Sequence, residues 1–265
     1  MLKSLYTSAT GMKAQQIMVD TIANNIANVN TAGFKKTQAT FEDLLYVTHK
    51  APGLERDARE TPSPIGLEVG SGARLSGTTR IYTPGVLEVT NRQLDIAIDG
   101  DGFLQVITPD GSTAYTRDGH LHVNADGNLV TSAGYVLFPD IQLPRDVQDL
   151  NIDAEGRVTG RVAGTDSDTT REFGQIELAK FVNPSGLQSI GGNVLRATDA
   201  AGQPVLDNPG QQGIGFLKQG FIERSNVEIV NELVSLIVAQ RAYEVNSRSI
   251  QASDQMLQSA TQVVR

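Results

Sequence analysis

The sequence predicts an α+β chain of several domains, with a long helix at each end and an all-β region between them. The first observation is the placement of helix breakers, because all ten prolines lie within residues 52–209. Apart from Gly11 and Gly33, every glycine lies within residues 53–220. The other two observations are an apolar repeat at each end of the chain and a series of Asp-Gly pairs in its middle.

Residues 1–33 are predicted to form the N-terminal helix of a terminal α domain. Asn, Thr and Gly within residues 28–33 favour a turn and end the helix there. Apolar residues recur along the helix at steps that place them on one side: Leu2, Leu5, Met12, Val19 and Ile26.

Residues 224–265 are predicted to form the C-terminal helix, and they contain neither Gly nor Pro. The segment opens on Ser225-x-x-Glu228, the pattern of a capping box. A heptad repeat sustained over this length is typical of a coiled-coil-like element. Its apolar positions, with one added partner position, are Ile229, Leu233, Leu236, Tyr243, Ile250, Leu257 and Val264.

Two arrangements cover these apolar stripes: a helical hairpin within one chain, or packing against copies of the chain. The sequence favours copies, because the C-terminal helix is longer by roughly 10 residues, or about 15 Å. It also has apolar residues off the main seam, which a single partner helix does not cover: Val234, Ile237, Val238 and Val245. The stripe residues of both helices are therefore predicted to be subunit-assembly residues.

Residues 73–223 are predicted to form a β-rich outer domain, an antiparallel structure of the sandwich or barrel type. Apolar residues alternate along 94–98, as they do in half-buried strands. Acidic-residue–Gly pairs supply the positive φ angles that tight hairpin turns require: Asp110-Gly111, Asp118-Gly119, Asp126-Gly127 and Glu155-Gly156.

Residues 34–72 are predicted to be an extended linker. Within it, residues 48–72 are rich in Pro, Gly and charge, which favours an irregular extended ribbon. The Pro and Gly residues that define the ribbon are Pro52, Gly53, Pro62, Pro64 and Gly66.

The composition narrows the possible functions. With 22 Lys and Arg against 30 Asp and Glu, the surface is acidic, which disfavours nucleic acids and anionic membranes as partners. Cysteine is absent, which excludes disulfides, Cys-based metal sites and thiol nucleophiles. No apolar run approaches the ~20 residues of a membrane-spanning helix. Gln15, Gln16 and Asp20 interrupt the N-terminal apolar positions, so any export is expected to occur without a cleaved signal peptide.

Motifs for metal binding or catalysis are weaker than their structural alternatives. The segment Asn124–Asn128 resembles a calcium loop but lacks the required Gly and carboxylate further on, which favours a hairpin turn. His120 and His122 share one face of a predicted strand, and no third ligand is apparent. No Ser lies in a Gly-x-Ser-x-Gly elbow, and no phosphate-binding glycine fingerprint is complete. We therefore predict no enzymatic activity, cofactor, metal site or small-molecule substrate.

Long motifs at both ends of the chain resemble those of the bacterial flagellar axial proteins, the family of rod, hook and hook-associated subunits. Ile22–Lys35, reading IANNIANVNTAGFK, is similar to the rod signature of that family. QGFIERSNV at Gln219–Val227, QRAYEVN at Gln240–Asn246 and DQML at Asp254–Leu257 are similar to its closing signature.

Within this family, three internal motifs are most similar to those of distal-rod subunits: Phe41–Tyr46, Asp99–Phe103 and Ala114–Gly119. The resemblance implies that both ends build one α domain, and that the middle forms the outer wall of a rigid helical tube. The tube so implied spans the periplasm within the flagellar basal body, transmits motor torque to the hook and forms part of an export channel. Residues 48–72 resemble an insertion that distinguishes the straight rod from the curved hook, so the ribbon is expected to make contacts that keep the tube rigid.

The resemblance also implies the partners. They are copies of the same chain, the proximal rod proteins, the hook protein, the surrounding ring bushing of the outer membrane and peptidoglycan, and the flagellar type III export apparatus. Three alternatives remain open from the residues. They are a hook or proximal rod subunit, a calcium- or glycan-binding β module with a coiled-coil tail, and an envelope-degrading enzyme.

Overall fold

The computed structural model describes residues 2–50, 65–162 and 170–263. It has a long helix near each end and a mostly β region between them, which confirms the coarse fold class predicted from the sequence. The helices are α1 (Leu2–Ala27) and α2 (Ile229–Val263), with a 3₁₀ turn at Pro184–Gly186. The strands are β1 (Thr37–Asp43), β2 (Val47–Lys50), β3 (Leu67–Val69), β4 (Ala73–Arg80), β5 (Leu87–Val89), β6 (Ile96–Asp99), β7 (Phe103–Ile107), β8 (Thr113–Thr116), β9 (Leu121–Val123), β10 (Leu129–Thr131), β11 (Val136–Phe138), β12 (Val147–Ile152), β13 (Arg157–Val162), β14 (Arg171–Gln175), β15 (Leu178–Lys180), β16 (Gln188–Gly191), β17 (Val194–Arg196), β18 (Val205–Asp207), β19 (Phe216–Gln219) and β20 (Phe221–Glu223).

The described residues fall into two compact units. The terminal unit contains those within 1–26, 37–79 and 228–265, and the β unit contains those within 27–36 and 80–227. The turn that follows α1 therefore belongs to the β unit. The extended segment after that turn belongs with the helices.

The terminal unit combines α1 and α2 with two small sheets. β1 pairs with β4, and β2 pairs antiparallel with β3. The part of the predicted ribbon that the structure describes is thus a two-stranded ribbon, β2 with β3. Four of the residues used to predict that ribbon, Pro52, Gly53, Pro62 and Pro64, lie outside the described residues.

The β unit is built on a nine-stranded sheet. Seven of its strands follow the order β16-β17-β8-β7-β11-β10-β9, and β15 joins β7 to β18. A second sheet has the order β12-β13-β14. The sheets are open, so closure of the barrel type, as allowed by the sequence prediction, is not confirmed. The main apolar core draws on several of these strands and includes Leu104, Val106, Leu121, Leu129, Leu137, Val158, Ile176 and Leu178.

Three of the four predicted turns connect adjacent antiparallel strands. Gly111 lies between β7 and β8, Gly127 between β9 and β10, and Gly156 between β12 and β13, each with positive φ. The prediction of a hairpin at Asp118-Gly119 was wrong, because β8 pairs with β7 and β17 while β9 pairs with β10. Gly119 instead lets the backbone of Ile96 approach, since a Cβ at residue 119 would overlap the Ile96 carbonyl oxygen.

The start of α2 also differs from the prediction. The Ser225 hydroxyl accepts a hydrogen bond from the Val227 N–H (3.3 Å), and the helix begins at Ile229. Ser225 therefore forms a short turn before the helix rather than a capping box with Glu228. The Glu228 side chain accepts a hydrogen bond from the Asn231 amide within the first turn.

Candidate assembly interface

Small and polar residues form the seam between α1 and α2. The hydroxyls of Ser4 and Ser253 are 3.4 Å apart, and Ser8 donates to Ser249 at 3.3 Å. Gly11 lies against Asn246, where an added Cβ would come 3.0 Å from the Asn246 side-chain nitrogen. As the residue number rises along α1, the number of its partner on α2 falls by the same amount. The two helices therefore run antiparallel in a constant register. Side chains this small let the two backbones approach closely.

Asn25 fixes the other end of this helix pair. Its side chain is buried, and it donates to the Thr37 carbonyl and accepts from the Thr37 N–H, both at 2.9 Å. The same amide nitrogen donates to Glu232 of α2 at 3.3 Å. A side-chain amide that pairs in this way acts as a piece of backbone, because it satisfies both groups of Thr37. Asn25 thus joins α1, the first residue of β1 and the first turn of α2.

The large apolar residues of α2 lie on its exposed sides. Val230 is 73% exposed and Val238 is 60% exposed, whereas Ala239 on the inner side is 1% exposed. The exposed set, to which we refer as the outer face of α2, is Ile229, Val230, Leu233, Val234, Ile237, Val238, Tyr243, Val245 and Met256. The most buried residues of α2 are therefore small, Ala239 and Ser253, whereas most of its large apolar residues are exposed.

The predicted assembly residues are distributed accordingly. Ile229, Leu233 and Tyr243 belong to the outer face of α2 and are 44–47% exposed. The remaining described positions whose side chains are placed are partly buried: Leu5, Met12, Val19, Ile26, Leu236, Ile250 and Leu257. Leu2 is the first residue of α1, and Val264 lies outside the described residues. The seam itself was missed, although Ser, Ala and Asn recur along α2 at helical steps.

The ribbon of β2 and β3 and the residues beside it also expose large apolar side chains. Lys3 of α1 donates to the Val69 carbonyl at 2.7 Å, which ties β3 to the N-terminal part of α1. Gly66 precedes β3 and is partly buried. The exposed large residues at the ribbon are Leu45, Tyr46, Val47, Ile65, Leu67 and Val69.

A buried ion cluster organises the β unit around Glu223. One carboxylate oxygen accepts from Lys35 Nζ at 2.6 Å and from the Gly85 N–H at 2.8 Å. The other oxygen accepts from Arg117 Nε at 2.9 Å. The side chains of Lys35, Arg117 and Glu223 are each 3% exposed or less. These residues come from sites far apart in the chain, and Lys35 and Glu223 are 188 positions apart.

Both cations of the cluster have further partners. Lys35 donates to the Thr83 carbonyl at 2.7 Å. Arg117 donates to the Gly100 carbonyl at 2.6 Å, and its guanidinium carbon lies 5.8 Å from the centre of the Phe103 ring. Burial lowers the pKa of Lys35 below its ordinary value, and Arg117 lowers it further, while Glu223 acts in the opposite direction. Burial of the charged Lys35 side chain therefore costs desolvation free energy, and its ion pair with Glu223 offsets this cost.

Close backbone contacts surround the cluster. The Gly33 N–H donates to the Glu223 carbonyl at 2.8 Å, and Gly33 has a φ of 67°. A Cβ at Gly33 would come 2.7 Å from the Arg117 carbonyl carbon. Asn226 accepts from the Lys36 N–H and donates to the Ile81 carbonyl, both at 2.8 Å. The segment 27–36 is thus held against the end of β20 by main-chain and side-chain bonds together.

The sequence motifs weighed for metal binding have structural partners. Asn124 accepts from the N–H groups of Asp126 (2.9 Å) and Asn128 (2.8 Å), which shapes the hairpin turn between β9 and β10. His120 lies 2.9 Å from Asp118 through its Nδ1, and His122 is exposed. The described residues contain no group of three or more potential metal ligands.

Among the helices of the described residues, none is long and apolar enough to cross a membrane.

Three regions of the chain match families of flagellar proteins. Residues 5–35 match the family described as flagella basal body rod protein. Residues 97–160 match the flagellar hook protein FlgE/F/G D1 domain, and residues 218–263 match the flagellar basal body rod FlgEFG protein C-terminal region. These matches define a structural protein of the flagellar rod and hook class.

Relatives align along the whole chain. The flagellar basal-body rod protein FlgG of Borreliella burgdorferi is 46% identical over 100% of both chains. FlgG of Buchnera aphidicola subsp. Acyrthosiphon pisum is 46% identical over 99% of this chain and 100% of its own, and that of Bacillus subtilis is 38% identical over 100% of both. The chain therefore belongs to the flagellar basal-body rod protein FlgG family, and it is a structural component of the basal-body rod. This confirms the resemblance found in the sequence.

Each matched region contributes one member of the ion cluster. Lys35 is the last residue of the first region, Arg117 lies in the second and Glu223 in the third. Each also lies within a motif quoted from the sequence, yet a single charge inside a motif does not indicate its distant partner. The cluster was therefore missed by sequence reasoning.

Glu223→Gln should lower the free energy of unfolding by about 3–5 kcal/mol, because Lys35 and Arg117 then remain buried without their anion. Urea unfolding followed by circular dichroism measures the loss. Asp99→Asn is a matched control, since Asp99 pairs with Lys218 at the surface and such pairs contribute about 0–1 kcal/mol. Similar losses in both variants would contradict the organising role of the cluster.

Lys35 should also make stability depend on pH. Because its pKa is lowered in the folded chain, the unfolded chain binds more protons at this residue between that lowered pKa and 10.5, and stability rises with pH in this window. The difference in unfolding free energy between the wild type and Lys35→Met should therefore shift in favour of the wild type as the pH rises towards 10.5. Urea titrations at several pH values measure it, and a difference that falls with pH contradicts the assignment.

Proposed function

We infer that this chain is a subunit of the distal rod, which assembles with copies of itself into a rigid helical tube. The observation that carries the inference is the outer face of α2, on which nine large side chains are exposed, each by 44% or more. Six of the nine lie within Ile229–Val238, and exposed apolar surface concentrated in this way marks an interaction site. The small, polar seam with α1 means that the pair of helices leaves this face open for another molecule.

The energetics of burial support assembly through this face. Fully burying one Val, Leu or Ile side chain contributes about 1.5–3 kcal/mol. Association costs roughly 4–15 kcal/mol in lost freedom of motion. A set of nine apolar residues is therefore large enough to offset the cost when a neighbouring helix covers most of it.

A helical tube follows from the geometry of such a contact. When a contact joins two different surfaces of the same chain and repeats without closing, it generates an open helical filament. In the proposed tube, α1 and α2 line a central export channel, and the β unit forms the outer wall. The tube spans the periplasm, transmits motor torque from the proximal rod proteins to the hook protein, and turns within the ring bushing. Its subunits are delivered by the flagellar type III export apparatus.

The exposed ribbon supports the rigidity of the proposed tube. β2 and β3 present apolar side chains, and Lys3 ties β3 to α1 at 2.7 Å. A ribbon anchored in this way and covered by a neighbouring subunit resists axial sliding. We assign this locking role to residues 48–72, including the ribbon positions predicted from the sequence.

Val238→Asp should abolish tube formation, because the substitution places a charge where a neighbouring helix has to pack. Since Val238 is 60% exposed in the single chain, the unfolding transition of the monomer should move little. Sedimentation and electron microscopy of the purified protein at rising concentration measure assembly. Val238→Thr, which keeps the shape, and Val205→Asp, on the exposed strand β18, are the controls and should assemble. Tubes of normal stability from Val238→Asp would contradict the proposed interface.

Deleting residues 48–65 should give bent or flexible tubes, because the locking contacts between neighbouring subunits are lost. Electron microscopy of assembled tubes gives the bending stiffness directly. A second variant, in which a Gly-Ser segment of equal length replaces residues 51–64, separates the effect of length from that of sequence. Straight tubes from the deletion variant count against the locking role.

A further inference from the structure

The ion cluster has a consequence for the order in which the β unit forms. Lys35 and Arg117 are cations, and Glu223 is the carboxylate that both of them contact. The other groups to which these three side chains are hydrogen-bonded, the Thr83, Ile98 and Gly100 carbonyls and the Gly85 N–H, belong to the first half of the chain. Only the anion, Glu223, comes from β20, the last strand of the unit.

Without β20, burial of Lys35 beside Arg117 is unfavourable. Two cations then share a site with no counter-charge, and the desolvation penalty is several kcal/mol per ion. Arg117 has carbonyl partners and an aromatic ring within its own part of the sheet. Lys35 has the Thr83 carbonyl, which does not neutralise its charge. The segment 27–36 therefore lacks a favourable way to dock until Glu223 is in place.

The backbone around Glu223 reinforces this dependence. β20 pairs with β5, with Glu223 opposite Leu87. A Cβ at Gly85 would overlap the Arg224 carbonyl oxygen, so the strand passes Gly85 at close range. The position of the Glu223 carboxylate is thus fixed by strand pairing and not only by its charge partners.

We propose that the cluster is a completion latch, in which the buried charges of Lys35 and Arg117 keep segment 27–36 undocked until β20 delivers Glu223. A chain that lacks the end of its β unit then keeps its rod-signature segment open. The segment that follows α1 and the strand that precedes α2 become ordered in one step. The latch makes completion of the chain a condition for ordering both segments.

Two backbone amides report the two events separately. The Ile81 N–H donates to the Lys36 carbonyl at 3.0 Å, at the end of the pairing of β1 with β4, and is protected when Lys36, the last residue of segment 27–36, is in place. The Arg224 N–H donates to the Val86 carbonyl at 2.9 Å and is protected when β20 pairs with β5. Amides of β7 and β8 report the formation of the central sheet. Pulse-labelled hydrogen exchange during refolding of the full chain from urea follows all three by NMR.

In the wild type, the Ile81 and Arg224 amides should gain protection in the same kinetic phase. Protection of Ile81 ahead of Arg224 would overturn the latch. In Lys35→Met, segment 27–36 no longer brings a cation next to Arg117, so Ile81 should become protected at least about threefold faster than Arg224. If the two amides stay in one phase in this variant, charge is not what couples them, and the proposal fails.

Hydrogen exchange of the folded chain at equilibrium tests the latch by removing the anion instead of a cation. In Glu223→Gln, exchange of the Ile81 amide should accelerate by about 100-fold, because the cations lose their anion. The amides of β7 and β8 should remain at least about tenfold better protected than Ile81 in this variant, since their ladder does not involve Glu223. Asp99→Asn is the control and should leave Ile81 unchanged. Equal protection of Ile81 and of the β7 and β8 amides in this variant would mean that the cluster only adds global stability, and would overturn the latch.

Discussion

The carboxylate of Glu223 is the interaction on which the closure of the β unit depends. It binds two buried cations and one backbone N–H, contributed by Lys35, Arg117 and Gly85. Three apolar side chains of similar volume can be equally stable in such a place, because they avoid the desolvation of charge. Apolar contacts, however, tolerate sliding, whereas directed hydrogen bonds at 2.6–2.9 Å accept one register. The charges therefore determine the register in which the distant segments pack rather than the stability of that packing.

In the terminal unit, too, polar contacts determine geometry, and apolar residues have a different role. Polar and small side chains set the geometry within the chain, through Asn25, the paired serines and Gly11. Large apolar side chains occupy the outer face of α2, where they contribute little to the stability of one chain. A helix with the opposite arrangement would bury its apolar face against α1 and leave nothing for a neighbour. The distribution of residues on α2 thus favours association over the stability of the isolated chain.

Local patterns in the sequence predicted the local structure well. Helix breakers and apolar repeats placed α1 and α2, and Asp-Gly or Glu-Gly pairs located the hairpins at Gly111, Gly127 and Gly156. The turn at Gly119 was wrong because its role is to admit the distant backbone of Ile96, which no local pattern encodes. Periodicity found the apolar side of α2 but did not tell which surface covers it. The Glu223 cluster lay beyond sequence reasoning for the same reason, since its members lie far apart in the chain and each appears alone in its motif.

Contacts within one chain and contacts between copies depend differently on protein concentration. This difference affects the rigidity of the proposed tube. Hydrogen bonds within one chain, such as those of Asn25 and Glu223, form at any concentration and fix the shape of the subunit first. In the proposed tube, burial of the outer face of α2 depends on neighbouring copies and stabilises the assembled form by mass action. A subunit whose geometry is set before association loses less conformational freedom when it binds, so more of the burial energy appears as stability of the contact. The proposed tube gains rigidity from this order, because its stiffness then derives from preformed subunits rather than from the interfaces alone.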